Sequence, residues 1–286
     1  MKIAIIDKKG AIIKVENQVL KVDEQKIPLR LIDTIILASN NHLESKDMIN
    51  ITKEGITFLL LSVQGKDSAI VTSTQNKNAD VKLAQYMAQK NALNFAKYFV
   101  SEKITRHGGH LREHDIIVKI DEVLQSIHKA EDIATLLGIE GSFSRFYFSN
   151  YFALFPKVLH SGKRTKNPPL DPVNAMMSFF YMLVYNLITI RLLSFGFEPS
   201  IGFLHQPFRS HNALSSDFME LFRADINAFV FRIFDEKIIE NSDFTKKNGV
   251  YLRYEGRKKI WGEFKMFTQM LEPKIDSEIA NIRSML

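Results

Sequence analysis

The hydrophobic pattern of this chain changes period once, and that change limits the folds open to it. Before residue 72 the apolar residues come in short β-branched runs: KIAII, AIIKV, QVLKV, TIILA, ITFLLLS and SAIV. Lys-Lys-Gly, Glu-Asn and a Gly65-Lys66-Asp67 turn break them, as turns break strands. One short helix, over 45–54 and ended by Gly55, is expected between the fourth and fifth runs. The polar stretch TSTQNKNAD at 72–80 reads as a linker. Beyond it Leu83, Tyr86, Met87, Leu93, Phe95, Phe99 and Val100 recur at roughly helical spacing. Further helices are expected over 111–129, 130–137, 141–155, 172–195, 213–235 and 257–270. Pro168, Pro169 and Pro172 mark a loop and a helix start, and Gly196 and Pro199 mark a helix end. The expected class is α+β, with a small β-rich N-terminal domain over 1–75 and a larger all-α domain over 76–286.

Charge favours the helical part. Residues 1–75 carry 10 Lys+Arg against 9 Asp+Glu, a surplus of +1, and residues 76–286 carry 28 against 23, a surplus of +5. A basic surplus suits a polyanionic partner such as nucleic acid. The chain has no cysteine, which excludes disulfides and thiolate metal sites and fits a reducing cytoplasm. Residues 173–190 carry no charge, a borderline length for a bilayer. Asn174, Ser178, Asn186 and Thr189 within them favour a buried core helix, so no membrane association is expected.

Three clusters could carry chemistry. His107-Gly-Gly-His110-Leu-Arg-Glu113-His114 contains the H-x-x-E-H pattern of inverted zinc proteases, with His110 and His114 as ligands and Glu113 as base. Its plainer reading, a polar and solvated helix start after a Gly-Gly turn, is preferred, because the segment is rich in charge. The second cluster is Asp217-Phe-Met-Glu220 with His205 upstream. On a helix the two carboxylates share a face, and a divalent cation relieves their repulsion. Here too plainer readings stand: a first-turn acid, an ion pair of Glu220 with Arg223 or Arg209, a core histidine. The third places Glu140 between Gly138 and Gly141, just before an aromatic helix, as an exposed acid or a helix-start acid. Together the last two clusters supply carboxylates and one imidazole, a hard donor set suited to Mg2+ or Mn2+ and to phosphoryl transfer.

GIEGSFSRFYF, NPPLDPVNAMMSFFYMLVYNL and GFEPSIGFLHQPFRSHNALSSDFMELFR occur in this order. With IPLRLIDTIIL…ITFLLLSVQGK before them and GVYLRYEGRKKIWGEF after, they resemble the signature blocks of the family called CRISPR-associated protein one. That family is the metal-dependent endonuclease/integrase of spacer acquisition. The resemblance implies a β-rich N-terminal domain, expected to carry dimerisation, followed by a helical catalytic domain. It implies that Glu140, His205 and Glu220 are the catalytic metal ligands and that Asp217 lies at the metal or supports its ligands. Some members carry Asp where Glu220 stands, and Glu is one methylene longer. It also implies strand transfer, in which a 3′-hydroxyl of a short duplex attacks a phosphodiester at the edge of a CRISPR repeat. The implied assembly is a homodimer with a small ferredoxin-like second adaptation protein.

Contacts to double-stranded DNA should go mostly to phosphate. The candidates are Lys163, Arg164, Lys166, Arg209, Arg223, Lys246, Lys247, Arg257, Lys258 and Lys259. Two competing functions stay open from sequence: a zinc hydrolase built on His110, Glu113 and His114, and a catalytically silent DNA-binding scaffold.

Overall fold

The computed structural model describes residues 2–62, 67–73, 78–206 and 211–286. Two compact units divide it: residues 1–77 with 258–281, and residues 78–257 with 282–286.

The first unit holds strands β1 (Ile3–Ile6), β2 (Ile12–Glu16), β3 (Val19–Val22), β4 (Gln25–Pro28), β5 (Thr34–Leu37) and β6 (His42–Leu43). Helix α1 (Ser45–Lys53) and strands β7 (Thr57–Leu61) and β8 (Ser68–Val71) follow. One sheet runs β1-β5-β7-β8, with β1, β5 and β7 parallel and β8 antiparallel. Its central strand β5 is buried along its whole length, as a parallel strand covered on both faces must be. The other sheet runs β4-β3-β2-β6. The β2–β3 hairpin turns at Asn17 and Gln18, both with positive φ, the geometry that matches strand twist in a two-residue turn. Leu20, Ile35, Ile51 and Phe58 pack the core between these elements.

The second unit is helical: α2 (Ala79–Ala88), α3 (Ala92–Arg112), α4 (Ile120–Lys129), α5 (Ile133–Ala153), α6 (Pro172–Ser194) and α7 (Ala213–Asp235). Short strands β9 (Phe244–Thr245) and β10 (Tyr251–Leu252) and the start of α8 (Tyr254–Met285) complete it. Residues 258–281 of α8 group with the first unit, where the Trp261 indole donates to Asp7 Oδ2 at 2.9 Å. Helix α6 is buried around most of its surface, which explains why it carries no charge before Arg191 in its last turn. It is long and apolar enough to cross a membrane, yet two-thirds of its most apolar window, 67%, is buried within the fold. Asp171 caps it by accepting from the Asn174 N–H, and Pro172 occupies its first turn.

Two helix expectations need correction. Helix α3 runs through Gly108-Gly109 to Arg112, and the chain from 113 to 119 is irregular, so no helix covers 111–129. Gly108 is where α3 meets Ile120: a methyl group there would stand 2.2 Å from the Ile120 side chain. Helix α5 is continuous over the expected break at 138–140. Asp132 caps it, and its buried Leu136, Phe143 and Tyr147 outweigh the cost of two glycines, about 1 kcal/mol each. Glu140 therefore sits mid-helix and is no helix-start acid.

Candidate metal centre

Helices α3, α5 and α7 each bring one charged group to a single point. Lys103 on α3 reaches Glu140 Oε1 on α5 and Glu220 Oε2 on α7, the latter at 2.5 Å. The lysine side chain is 7% exposed, Glu220 5% and Glu140 20%. The other oxygen of Glu220 pairs with Arg223 Nη2 at 2.9 Å, one turn along α7. Burial opposes a charge on Glu220, but Arg223 and Lys103 overcome it and hold the carboxyl well below the usual carboxylate range. The Ser144 hydroxyl donates to Glu140 Oε1 at 2.6 Å, one turn along α5. Arg223 in turn lies over the Tyr181 ring, 4.7 Å from its centroid.

His205 precedes α7 and is set by Asp217. One Asp217 oxygen accepts the N–H groups of Phe203 and Leu204 at 2.6 and 3.1 Å. The other accepts the His205 N–H at 2.9 Å and pairs with His205 Nδ1 at 2.7 Å. Only glycine fits at 202, where a methyl group would stand 2.8 Å from Asp217 Oδ2 and 2.9 Å from the His205 carbonyl oxygen. A carboxylate can only accept, so Nδ1 carries a proton, and in the neutral ring Nε2 keeps its lone pair. Burial lowers the His205 pKa, but the bond to Asp217 and the charges of Asp217 and Glu220 outweigh it and raise the pKa.

The structure thus joins Glu140 to Glu220 and ties His205 to Asp217. Asp217 and Glu220 do not act as a repelling pair: Asp217 is held by three backbone N–H groups and the His205 ring, and the charge of Glu220 is offset by Arg223 and Lys103. Among the described residues, no group of three His, Asp or Glu side chains is arranged to hold a metal ion as it stands. The donor chemistry nevertheless fits a hard divalent ion. Two carboxylates already converge on a cation, the Lys103 ammonium, and an imidazole is oriented with Nε2 free of Asp217.

Lys103 was not singled out from sequence. Its signal is there in hindsight: Phe99, Val100, Ile104 and His107, at helical spacing around it, are all buried. An interior lysine needs an acid partner.

The His107–His114 cluster also needs correction. It closes α3, and His107 and His110 are buried in a polar network. His107 Nδ1 donates to the Lys103 carbonyl at 2.8 Å, and His110 Nδ1 hydrogen-bonds the Tyr147 hydroxyl at 2.8 Å. Asn227 donates to the same hydroxyl at 3.0 Å and accepts from Tyr181 at 2.6 Å. Glu113 is exposed, and among the described residues no third His, Asp or Glu joins His110 and His114, so the zinc set does not assemble. Burial and the Lys103 charge push His107 down to about 3, and burial and His114 push His110 down to about 4. Both are neutral in the fold but take protons near 6.5 when unfolded. Stability is therefore full above pH 6.5 and falls as pH drops toward the folded values. We expect His110 alone to remove about 2 kcal/mol by about pH 5, and His110→Phe to flatten the fall of Tm between pH 7 and 5. Equal slopes for variant and wild type in thermal melts would contradict this.

The basic candidates divide. Arg164 donates to Asn174 Oδ1 and Ser178 Oγ at 2.9 and 3.1 Å and lies 5.5 Å from the Tyr181 centroid, so it anchors its loop to α6. Arg223 serves Glu220. Arg257 is 7% exposed and lies over Tyr254, leaving little of it for a phosphate. Lys163, Lys166, Lys246, Lys247, Lys258 and Lys259 are exposed. Lys166 is exposed as a residue while its ammonium is partly buried, and that burial with the nearby charges of Arg223 and Arg164 lowers its pKa. Arg209 lies outside the described residues.

A family profile described as "CRISPR associated protein Cas1" matches residues 4–266. A "CRISPR-associated endonuclease Cas1 1" from Thermodesulfovibrio yellowstonii is 30% identical over 292 residues, covering 94% of this chain and 92% of that protein. Among solved structures, a CAS1 protein from Thermotoga maritima superposes with a TM-score of 0.90 at 18% identity, covering 99% of this chain and 96% of that one. A casposase bound to integration product superposes at 0.83 with 23% identity, covering 93% and 82%. A Cas6-RT-Cas1–Cas2 complex superposes at 0.82 with 23% identity, covering 99% of this chain and 34% of that chain.

Proposed function

The chain belongs to the Cas1 family of CRISPR-associated proteins, and from that premise we propose that Glu140, His205 and Glu220 hold its catalytic divalent ion. The chain is a DNA endonuclease and integrase that inserts short DNA fragments into a CRISPR repeat array. It depends on a divalent metal. A set of two carboxylates and one imidazole suits Mg2+ or Mn2+. The observation that carries the reading is the convergence of Glu140 and Glu220, from different helices, on one cation.

When bound, the ion neutralises charge on the scissile phosphate and lowers the pKa of the attacking hydroxyl. The chain's own residues prepare for it. Arg223 fixes one oxygen of Glu220, and Ser144 fixes one of Glu140. Asp217 holds the proton on Nδ1 of His205, which keeps Nε2 as a donor of its lone pair. In strand transfer the 3′-oxygen of the incoming fragment bonds to phosphorus as the bond to the repeat strand's leaving 3′-oxygen breaks. One ester replaces another, so no nucleotide cofactor is needed.

Exposed Lys163, Lys166, Lys246, Lys247 and Lys258 would neutralise phosphates of duplex DNA, whose sequence varies from fragment to fragment. Insertion at both ends of a repeat needs two active sites, which a homodimer supplies. The Cas2 named in the solved complex indicates the partner, a small ferredoxin-like protein in this reading.

The test is strand transfer into a supercoiled plasmid carrying a repeat, with the partner and Mn2+ present. We expect His205→Ala to lower the rate by about 10²-fold or more while leaving duplex binding intact. Unchanged activity in that variant would remove His205 from the ligand set. No transfer by the intact chain with its partner would favour the silent scaffold.

A further inference from the structure

We propose that Lys103 is a built-in counter-cation that competes with the divalent ion for Glu140 and Glu220, so that the ion binds only when Lys103 withdraws. This rests on the ligand assignment above and adds a residue that the assignment does not contain. Among the described residues the ammonium of Lys103 pairs with two carboxylates, Glu140 and Glu220, both assigned to the metal. Charge balance supplies the argument. Lys103 and Arg223 carry two positive charges, Glu140 and Glu220 two negative ones, and Glu220, Lys103 and Arg223 lie mostly out of water. A dication entering this balanced cluster would meet a surplus of positive charge at low dielectric. Arg223 is held by its ion pair and by the Tyr181 ring, whereas Lys103 has a flexible four-carbon stem and is the group able to move. Lys103 therefore keeps two nearby acids paired until the metal arrives, and it weakens metal affinity by the fraction of molecules in which it has not withdrawn.

The experiment compares Mn2+ binding by the full-length chain, Lys103→Met and Lys103→Gln. Free Mn2+ is followed by its electron paramagnetic resonance signal, and Tm is recorded with and without Mn2+. If the withdrawn state is about a tenth populated, both variants bind Mn2+ about tenfold more tightly than wild type. Lys103→Met also melts lower than wild type without metal and gains more Tm from Mn2+. Lys103→Gln, which can still hydrogen-bond the acids, keeps the affinity measurable if the methionine variant folds poorly. Equal or weaker Mn2+ binding in Lys103→Gln, with wild-type binding abolished by Glu220→Ala, overturns the proposal and leaves the ligand assignment standing. Wild-type binding that is absent, or indifferent to Glu220→Ala, overturns the assignment and the proposal together.

Discussion

Glu220→Gln is expected to stop metal-dependent strand transfer, with a loss on the order of 10³-fold or more, in a protein that still folds. The amide keeps the shape of the side chain and an oxygen for Arg223 or Lys103 to reach. What it loses is the charge on which both cations converge, and with it a hard anionic ligand worth several kcal/mol to the transition state. A second consequence follows from burial. Lys103 and Arg223 would face a neutral group in a site where Glu220 is 5% exposed. Breaking one side of a buried ion pair costs about 3–5 kcal/mol, and the remaining acid Glu140 offsets part of that. The variant should melt lower than wild type and regain little from Mn2+. Transfer rates within about tenfold of wild type, in a variant with an intact melting transition, would show that Glu220 serves the fold and not the metal.

Asp217→Ala is expected to lower Tm by about 10 °C and to abolish activity with it. Three backbone N–H groups and the His205 ring converge on this fully buried carboxylate. Each buried donor left without an acceptor costs about 1–3 kcal/mol, and some will find water as the loop opens, which leaves a net loss of about 4 kcal/mol. Asp217→Asn separates the two roles of the residue. Its amide oxygen can still accept from the backbone, so most of the stability should remain. Its NH2 can donate to Nδ1, which drives the ring proton to Nε2 and spoils that nitrogen as a ligand. We therefore expect Asn at 217 to lose activity far beyond its loss of stability, as read from Tm and transfer rate measured on the same preparation. Parallel losses would mean that Asp217 only holds the loop.

Much of this could be read from sequence because local physics and fold agree. Helix α6 was legible from Pro172 at its start, and the absence of charge over residues 173–190 matches its burial. Strands β1, β2, β3, β5, β7 and β8 were legible from their β-branched runs, whereas β4 and β6, the one with a proline and the other two residues long, carry no such run. Glu140 was legible as a candidate but not in its setting. Gly138 and Gly141 suggested a break, while the packing of Leu136, Phe143 and Tyr147 carries the helix straight through. The same tertiary override hid His107 and His110, whose charged neighbours pointed to solvent although the rings face Tyr147. The α3 lysine was hidden for a different reason. Its meaning depends on acids 37 and 117 residues away in the chain, and no local spacing encodes such a meeting. Nor does periodicity reveal that residues 258–281 of α8 group with the strand unit.

The central claim is that Glu140, His205 and Glu220 share one divalent ion in the helical unit. Anomalous X-ray scattering at the manganese edge, from crystals grown with Mn2+, tests it most directly. The account predicts one strong peak at ligating distance from a carboxylate oxygen of Glu140, a carboxylate oxygen of Glu220 and Nε2 of His205, with the Lys103 ammonium displaced from between the acids. A peak that leaves out His205 or either glutamate, or manganese bound elsewhere with these three side chains unliganded, would contradict it.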